Sequence, residues 1–203
     1  QKHRRFFRKG IQPHICVLEN IHFEDEELKN YQEEIGHDLF TANLFPTLKL
    51  FEEADNFGSL IRPVITDVSD ILQLLEEKDL SGNLFFNATH QKVLKALQQV
   101  DYLSPKYHVV IANPPYMGGR GMNGRLKAFL EEKYLDVKAD LFSACIVRNT
   151  QLALPKGQLG YMSPFVWMFI SSYEKLRNFS PILIEKSPGS PAASCIVAAH
   201  FSG

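Results

Sequence analysis

Long apolar runs, clustered metal ligands and a surplus of either charge are all missing from this chain of 203 residues. The apolar stretch from Phe165 to Ile170 is far shorter than the roughly 20 residues that cross a bilayer, so no membrane span is expected. The 3 cysteines, Cys16, Cys145 and Cys195, are odd in number and widely scattered, and no secretory signal precedes them. That spacing excludes a disulfide framework and points to a reducing cytoplasm. The 7 histidines do not cluster either, so no metal site is expected. With 22 Lys+Arg against 23 Asp+Glu, the formal net charge is −1, and a whole-chain basic signature for a polyanionic partner is absent. Positive charge is local instead. Lys2, His3, Arg4, Arg5, Arg8 and Lys9 open the chain, and Arg120, Arg125 and Lys127 form a second group.

What is present centres on His108 to Gly121, HVVIANPPYMGGRG. Val109, Val110, Ile111 and Ala112 are a short continuous apolar run, the pattern of a strand buried on both faces of a parallel sheet. The run stops at Asn113-Pro114-Pro115-Tyr116. Open α/β sheets bind their ligands beyond the carboxyl ends of strands, so these four residues fall where such a fold does chemistry.

The tetrapeptide has a mechanical reading. An exocyclic amine on a nucleobase is a poor nucleophile because its lone pair is delocalised into the ring. Two acceptors on its two N–H bonds draw the nitrogen toward tetrahedral geometry and free that lone pair. The Asn113 side-chain oxygen supplies one acceptor and the Pro114 carbonyl the other. Pro114 biases Asn113 toward extended backbone, and the two proline rings hold φ near about −65°, so the carbonyls are fixed beforehand. Tyr116 adds a flat face, and base–aromatic stacking contributes roughly 1–3 kcal/mol. An isolated Asn-Pro would read as a turn or strand stop. All four residues directly after a buried-strand pattern favour the chemical reading.

The tetrapeptide resembles the catalytic motif of S-adenosylmethionine-dependent amino-methyltransferases, above all adenine-N6 DNA enzymes with a TaqI-like methyltransferase domain. RRFFRKGIQPHICVLENI, EEADNFGSLIRP, LSGNLFFNATHQKVLKAL, YLSPKYHVVIANPPYMGGRGMNGRLKAF and SSYEKLR together are similar to the PglX type of BREX phage-defence systems, over about residues 3 to 178. The resemblance implies a Rossmann-like α/β fold, partial here, with a mostly parallel sheet and an inserted helical region. It implies S-adenosylmethionine as methyl donor, held by Glu19 and Asn113, and catalysis by Asn113, Pro114, Pro115 and Tyr116. Nucleic-acid contacts fall to Tyr116, Arg120, Arg125 and Lys127. The implied partners are double-stranded DNA and other subunits of a phage-defence complex.

The chain divides accordingly. Residues 1–22 read as a basic helix end closed by Gly10, then a strand, Ile15-Cys16-Val17-Leu18, whose acidic end is Glu19. Residues 23–101 read as a helical insertion. Asp25-Glu26-Glu27 form an acidic first turn, Leu44, Leu48 and Phe51 recur at helical spacing, and Asn56-Phe57-Gly58-Ser59 break the pattern. Asp55, Asn56 and Ser59 offer a polar site, but GSLI followed by Arg62-Pro63 favours a helix break packed on the core. Further helices are expected from Val68 to Leu75 and from Thr89 to Val100. Residues 102–180 return to the core. A flexible glycine-rich loop, residues 117–124, is expected to order over a bound base or cofactor. Helices are expected from Ala139 to Leu154 and from Phe165 to Arg177, with a turn at Pro155-Lys156-Gly157-Gln158 and a strand at Leu159-Gly160-Tyr161-Met162. Residues 181–203, rich in Ser, Pro and Ala, read as an irregular, truncated or frame-shifted tail with little structure after about residue 185.

The chain opens on Gln1, and no G-x-G turn leading into a helix precedes residue 108. A fragment that binds S-adenosylmethionine weakly or not at all by itself is therefore expected. Two rival functions remain open. Protein-glutamine and guanine-N2 methyltransferases share Asn-Pro-Pro-Tyr, and a defence-complex subunit can hold DNA or partners without catalysis.

Overall fold

The structure is a computed structural model, which describes residues 13–35, 43–65, 67–77, 84–178, 185–186 and 195–200. The basic opening cluster and the helix end at Gly10 lie outside these residues. Two hydrophobic clusters organise the rest.

The first cluster belongs to the expected helical insertion. It is built from α1 (Asp25–Ile35), α2 (Leu44–Lys49), a 3-10 turn (Leu50–Glu53), α3 (Ala54–Phe57), α4 (Ser69–Glu76) and α5 (Leu84–Leu103), while a second 3-10 turn (Gly58–Leu60) gives Leu60 to the other cluster. The apolar spacing read from sequence is the spacing that is buried. Leu44, Leu48 and Phe51 are inaccessible, as are Val93, Leu97 and Val100 along α5. Tyr31 of α1 and His90 of α5 share a buried hydrogen bond of 2.6 Å. The break after α3 is conformational: Gly58 has φ 54°, where an L side chain is strained although nothing would crowd it.

The second cluster packs α6 (Gly124–Lys133) and α7 (Leu141–Leu152) on one face of a sheet made of β1 (Tyr107–Ala112), β2 (Ala153–Ser163), β3 (Glu185–Lys186) and β4 (Cys195–His200). A short α8 (Glu174–Asn178) adds Leu176 to this core. Strand order is β1-β2-β4-β3. β1 and β2 are parallel, with Ile111 opposite Gly160 and Ala112 opposite Tyr161. The helix α7 between them is the crossover that a parallel pair requires.

Several expectations are corrected here. The sheet is mixed rather than mostly parallel, because β4 runs antiparallel to both β2 and β3. The supposed irregular tail supplies those two strands. Its Ile196-Val197 pair is a β-branched strand signal that the surrounding Ser and Pro obscured. The Ile15–Leu18 run forms no strand, and Ile15 and Val17 are exposed. Nor is β1 buried on both faces. Among the described residues it lies at the sheet edge, with Val110 and Ala112 packed against the core while Val109 and Ile111 are 55% and 80% exposed. The physical reason is that only one face of the β1–β2 pair carries helices among the described residues, so alternate side chains meet solvent.

Smaller differences have local causes. The turn at Pro155–Gln158 sits inside β2 as a bulge, where Lys156 has φ 65° and the register jumps from Tyr107↔Ala153 to Val109↔Gln158. A Cβ on Gly157 would meet the Leu154 carbonyl at 2.8 Å. The helix expected over 165–177 is broken into 3-10 turns at Phe165–Met168 and Ser171–Tyr173 before α8. Arg177 Nη1 donates to the carbonyls of Trp167 and Ile170, at 2.8 and 2.7 Å, and so satisfies acceptors that the break leaves over.

Candidate functional site at the end of the first strand

β1 delivers the tetrapeptide to the surface. Pro114 is buried and anchors the turn, while Asn113 and Pro115 are exposed and Tyr116 is half exposed. The Asn113 amide hydrogen-bonds to no other described residue, so both its ends are open to a ligand. Beyond it the chain zips against the entry of α7. Leu141 N–H donates to Met117 O at 3.0 Å, Gly119 N–H donates to Ala139 O at 3.2 Å, and Gly118 bridges Asp140. Tyr116 is thereby set edge-on to Phe142, with centroids 6.3 Å apart and planes at 85°. Phe142 in turn packs on Tyr173, whose hydroxyl donates to Asp140. Burial, and then that bond, push the Tyr173 phenol well above its ordinary value, which keeps it a donor.

The glycine-rich segment is pinned rather than free. Gly121 N–H donates to Gly118 O at 2.9 Å, and Met122 is buried. Space rather than φ selects these glycines: a Cβ on Gly118 would sit 3.1 Å from Asp140 Oδ1, and one on Gly121 2.9 Å from Met117 Cγ. The segment ends at Asn123, which caps α6 by accepting from Leu126 N–H at 2.8 Å. Asn123 also donates to Asn56 Oδ1 at 2.9 Å, tying the loop to the insertion. Asn123→Ala should lower thermal stability by about 1–2 kcal/mol, the upper part of the range for a lost N-cap. A melting curve no different from wild type would show that the cap and the amide pair contribute nothing.

The three expected nucleic-acid cations separate. Arg120 and Lys127 are exposed and ion-paired with no described residue. Arg125 instead pairs with Glu53 of the insertion. Glu19 is exposed, and its carboxylate accepts from Lys95. Asn20 Oδ1 accepts from Asp55 N–H at 3.0 Å. Asp55 and Asn56 therefore bridge from Asn20 to Asn123, which the reading of them as a plain helix break did not foresee. Gln99 and Asn123 are the residues that sequence reasoning missed. Only Asn123 had a sequence signal, an Asn three residues before the first apolar position of a helix.

Among the described residues no cluster of His, Cys, Asp and Glu could hold a metal ion, and no helix is long and apolar enough to cross a membrane. Burial pushes the Cys145 thiol up to about 11, which makes it a poor nucleophile. A concavity of about 500 Å³ on the insertion is lined by Glu24, Glu27, Phe85, Thr89 and Lys92, none of which belongs to the β1 exit.

Residues 18–188 match the family described as Eco57I restriction-modification methylase. The chain is 31% identical over 202 residues to the adenine-specific methyltransferase BrxX of Escherichia coli O9:H4 (strain HS), covering 88% of this chain and 17% of that protein. It is 29% identical over 185 residues to the adenine-specific methyltransferase PglX of Lacticaseibacillus casei (strain Zhang), covering 88% and 15%. A further similarity, 25% over 142 residues, is to the type II restriction enzyme and methyltransferase RM.Eco57I of Escherichia coli, covering 63% of this chain and 14% of that protein. The chain thus spans less than a fifth of the length of these relatives. On that match, running through the strand, the Asn-Pro-Pro-Tyr turn and the insertion together, this chain belongs to the Eco57I restriction-modification methylase family.

Proposed function

We propose that this chain carries the base-activating centre of an adenine-specific DNA methyltransferase that works in phage defence, with double-stranded DNA and other defence subunits as partners, in the cytoplasm. The observation that carries the reading is the Asn-Pro-Pro-Tyr turn at the carboxyl end of β1, with an unengaged Asn113 amide and an open Tyr116 face. The residues fit an S-adenosylmethionine site in donor chemistry: Glu19 presents a carboxylate and Asn113 an amide, and both are exposed. When bound, S-adenosylmethionine supplies an electrophilic methyl group on a sulfonium.

The chain's own residues do the rest. The N6 edge of a paired, stacked adenine is engaged within the duplex, so the target adenine is flipped out to meet the turn. Tyr116 receives its ring face. Asn113 Oδ1 and the Pro114 carbonyl accept from the two N6 hydrogens, which localises the lone pair on nitrogen. Pro114 and Pro115 keep both acceptors aligned before the base arrives, so alignment contributes most of the rate. Arg120 and Lys127 neutralise phosphates flanking the flipped nucleotide.

The test is transfer of labelled methyl from S-adenosylmethionine by the complete gene product that carries this chain, with duplex DNA or protein as acceptor. Label on adenine N6 is expected. Label on protein glutamine instead, or on neither acceptor, would refute the reading. Within that assay Tyr116→Phe should stay within a few-fold of wild type, because the stacking face survives. Tyr116→Ala should lose about 1–3 kcal/mol, partly as weaker DNA binding. Equal activity of the two variants would remove stacking from the mechanism.

A further inference from the structure

Glu19 is held in an unusual way. It follows Ile15–Leu18, which forms no strand, so no sheet ladder fixes its backbone. Its main chain is fixed by one side chain instead. Gln99, on α5, is 2% exposed. Its Oε1 accepts from Glu19 N–H at 2.9 Å, and its Nε2 donates to the Glu19 carbonyl at 3.2 Å. The amide thereby pairs with Glu19 as a neighbouring strand would. Lys95, one turn earlier on α5, takes Glu19 Oε2 and leaves Oε1 without a described partner. The next residues are tied to the insertion as well, through Asn20 Oδ1 and through Ile21 N–H to Phe51 O at 2.9 Å.

A buried amide that merely filled space at this position of α5 could be replaced by Leu or Met. Here both polar ends are committed to one exposed acidic residue. Hydrogen bonding from both ends leaves the Glu19 backbone little freedom, and Lys95 selects its side-chain direction.

We propose that Gln99 is a positioning residue for cofactor binding: α5 of the inserted region holds Glu19 so that its free carboxylate oxygen meets a hydroxyl or amine of the nucleoside part of S-adenosylmethionine. This rests on Glu19 being the cofactor-side acid. The insertion then acts on cofactor affinity, not on the methyl-transfer step at Asn113. Gln99 works through Glu19 and touches no reacting atom.

The experiment measures S-adenosylmethionine affinity by calorimetric titration, and methylation rate at saturating cofactor, for the complete gene product and for Glu19→Ala, Gln99→Met and Gln99→Glu. Melting curves accompany each variant. Gln99→Met keeps the volume and loses both hydrogen bonds. Its affinity should fall about ten-fold or more, the lower end of what losing an orienting partner costs a metal site. Its rate at saturating cofactor should stay within about three-fold of wild type, a split that general loss of structure would not produce. Gln99→Glu keeps an acceptor for Glu19 N–H but sets an oxygen against the Glu19 carbonyl at a buried position, so its affinity should fall as well. If Glu19→Ala weakens the cofactor but Gln99→Met and Gln99→Glu do not, Gln99 is packing only and the proposal is wrong. If Glu19→Ala itself binds like wild type, the assignment of Glu19 fails and the positioning role goes with it.

Discussion

Asn113→Ala is expected to lower the rate of methyl transfer by about 10²–10³ at saturating cofactor and DNA, by analogy with removing one oxyanion-hole donor. The melting temperature should hardly move. Asn113 is exposed at the end of β1 and bonds to no described residue, so its truncation opens no cavity and strands no buried partner. What disappears is one of two acceptors on the target nitrogen. Their worth is greatest as positive charge develops on that nitrogen during transfer, so the loss should appear in the chemical step rather than in DNA affinity. Single-turnover methylation of a duplex adenine separates the two. A variant within a few-fold of wild type would mean that the tetrapeptide only stops a strand.

The largest effect on stability is expected at Arg148. This side chain, on α7, is 5% exposed and has no carboxylate partner among the described residues. Its Nε donates to Ser59 O at 2.9 Å and its Nη2 to Leu103 O at 2.7 Å. Burial lowers its ordinary value, the direction expected for a charge removed from water. One acceptor lies in the insertion after the Gly58 break, and the other at the end of α5, which leads out of it. Arg148→Ala leaves two inward carbonyls short of a donor and removes the packed stem. At about 1–3 kcal/mol for each unsatisfied group, offset in part by no longer burying a charge, a net loss of about 3 kcal/mol is expected. Arg148→Lys should recover little of it, because one ammonium cannot replace two donors in a planar fork. Chemical denaturation checks both. An Arg148→Ala midpoint equal to wild type would show that these two hydrogen bonds contribute nothing to stability.

How much of this was legible in the sequence depends on range. Local periodicity identified α1, α2 and α5 well, because one face of each helix is buried in the insertion's own cluster. The β1–β2 parallel pair and the exit of β1 into Asn-Pro-Pro-Tyr were legible for the same reason: a strand run and a crossover helix follow in order. Burial of β1 was not legible. Val109 and Ile111 are as apolar as Val110 and Ala112, and composition cannot say whether the second face of a sheet is covered. The tail misled through its Ser and Pro residues, which masked a strand pairing decided across the sheet. The links among Asn56, Asn123, Gln99 and Glu19 join residues 67 and 80 positions apart, and no local pattern announces such a pair. Arg125 shows the converse. It reads as a free cation for DNA, yet Glu53 engages it.

Among the described residues no strand pairs with the outer edge of β1, and this has a consequence for handling the molecule. An edge strand offers a row of N–H and C=O groups to any other strand, and natural sheets guard such rows with charge, proline or a covering element. β1 carries no charged side chain along Val109 to Ala112, and its outward residues are Val and Ile. It is the kind of short, β-branched, uncharged segment from which intermolecular sheets nucleate. Self-association of the isolated chain through this edge would then rise with concentration, and a single lysine facing outward at Ile111 is the guard that its sequence omits.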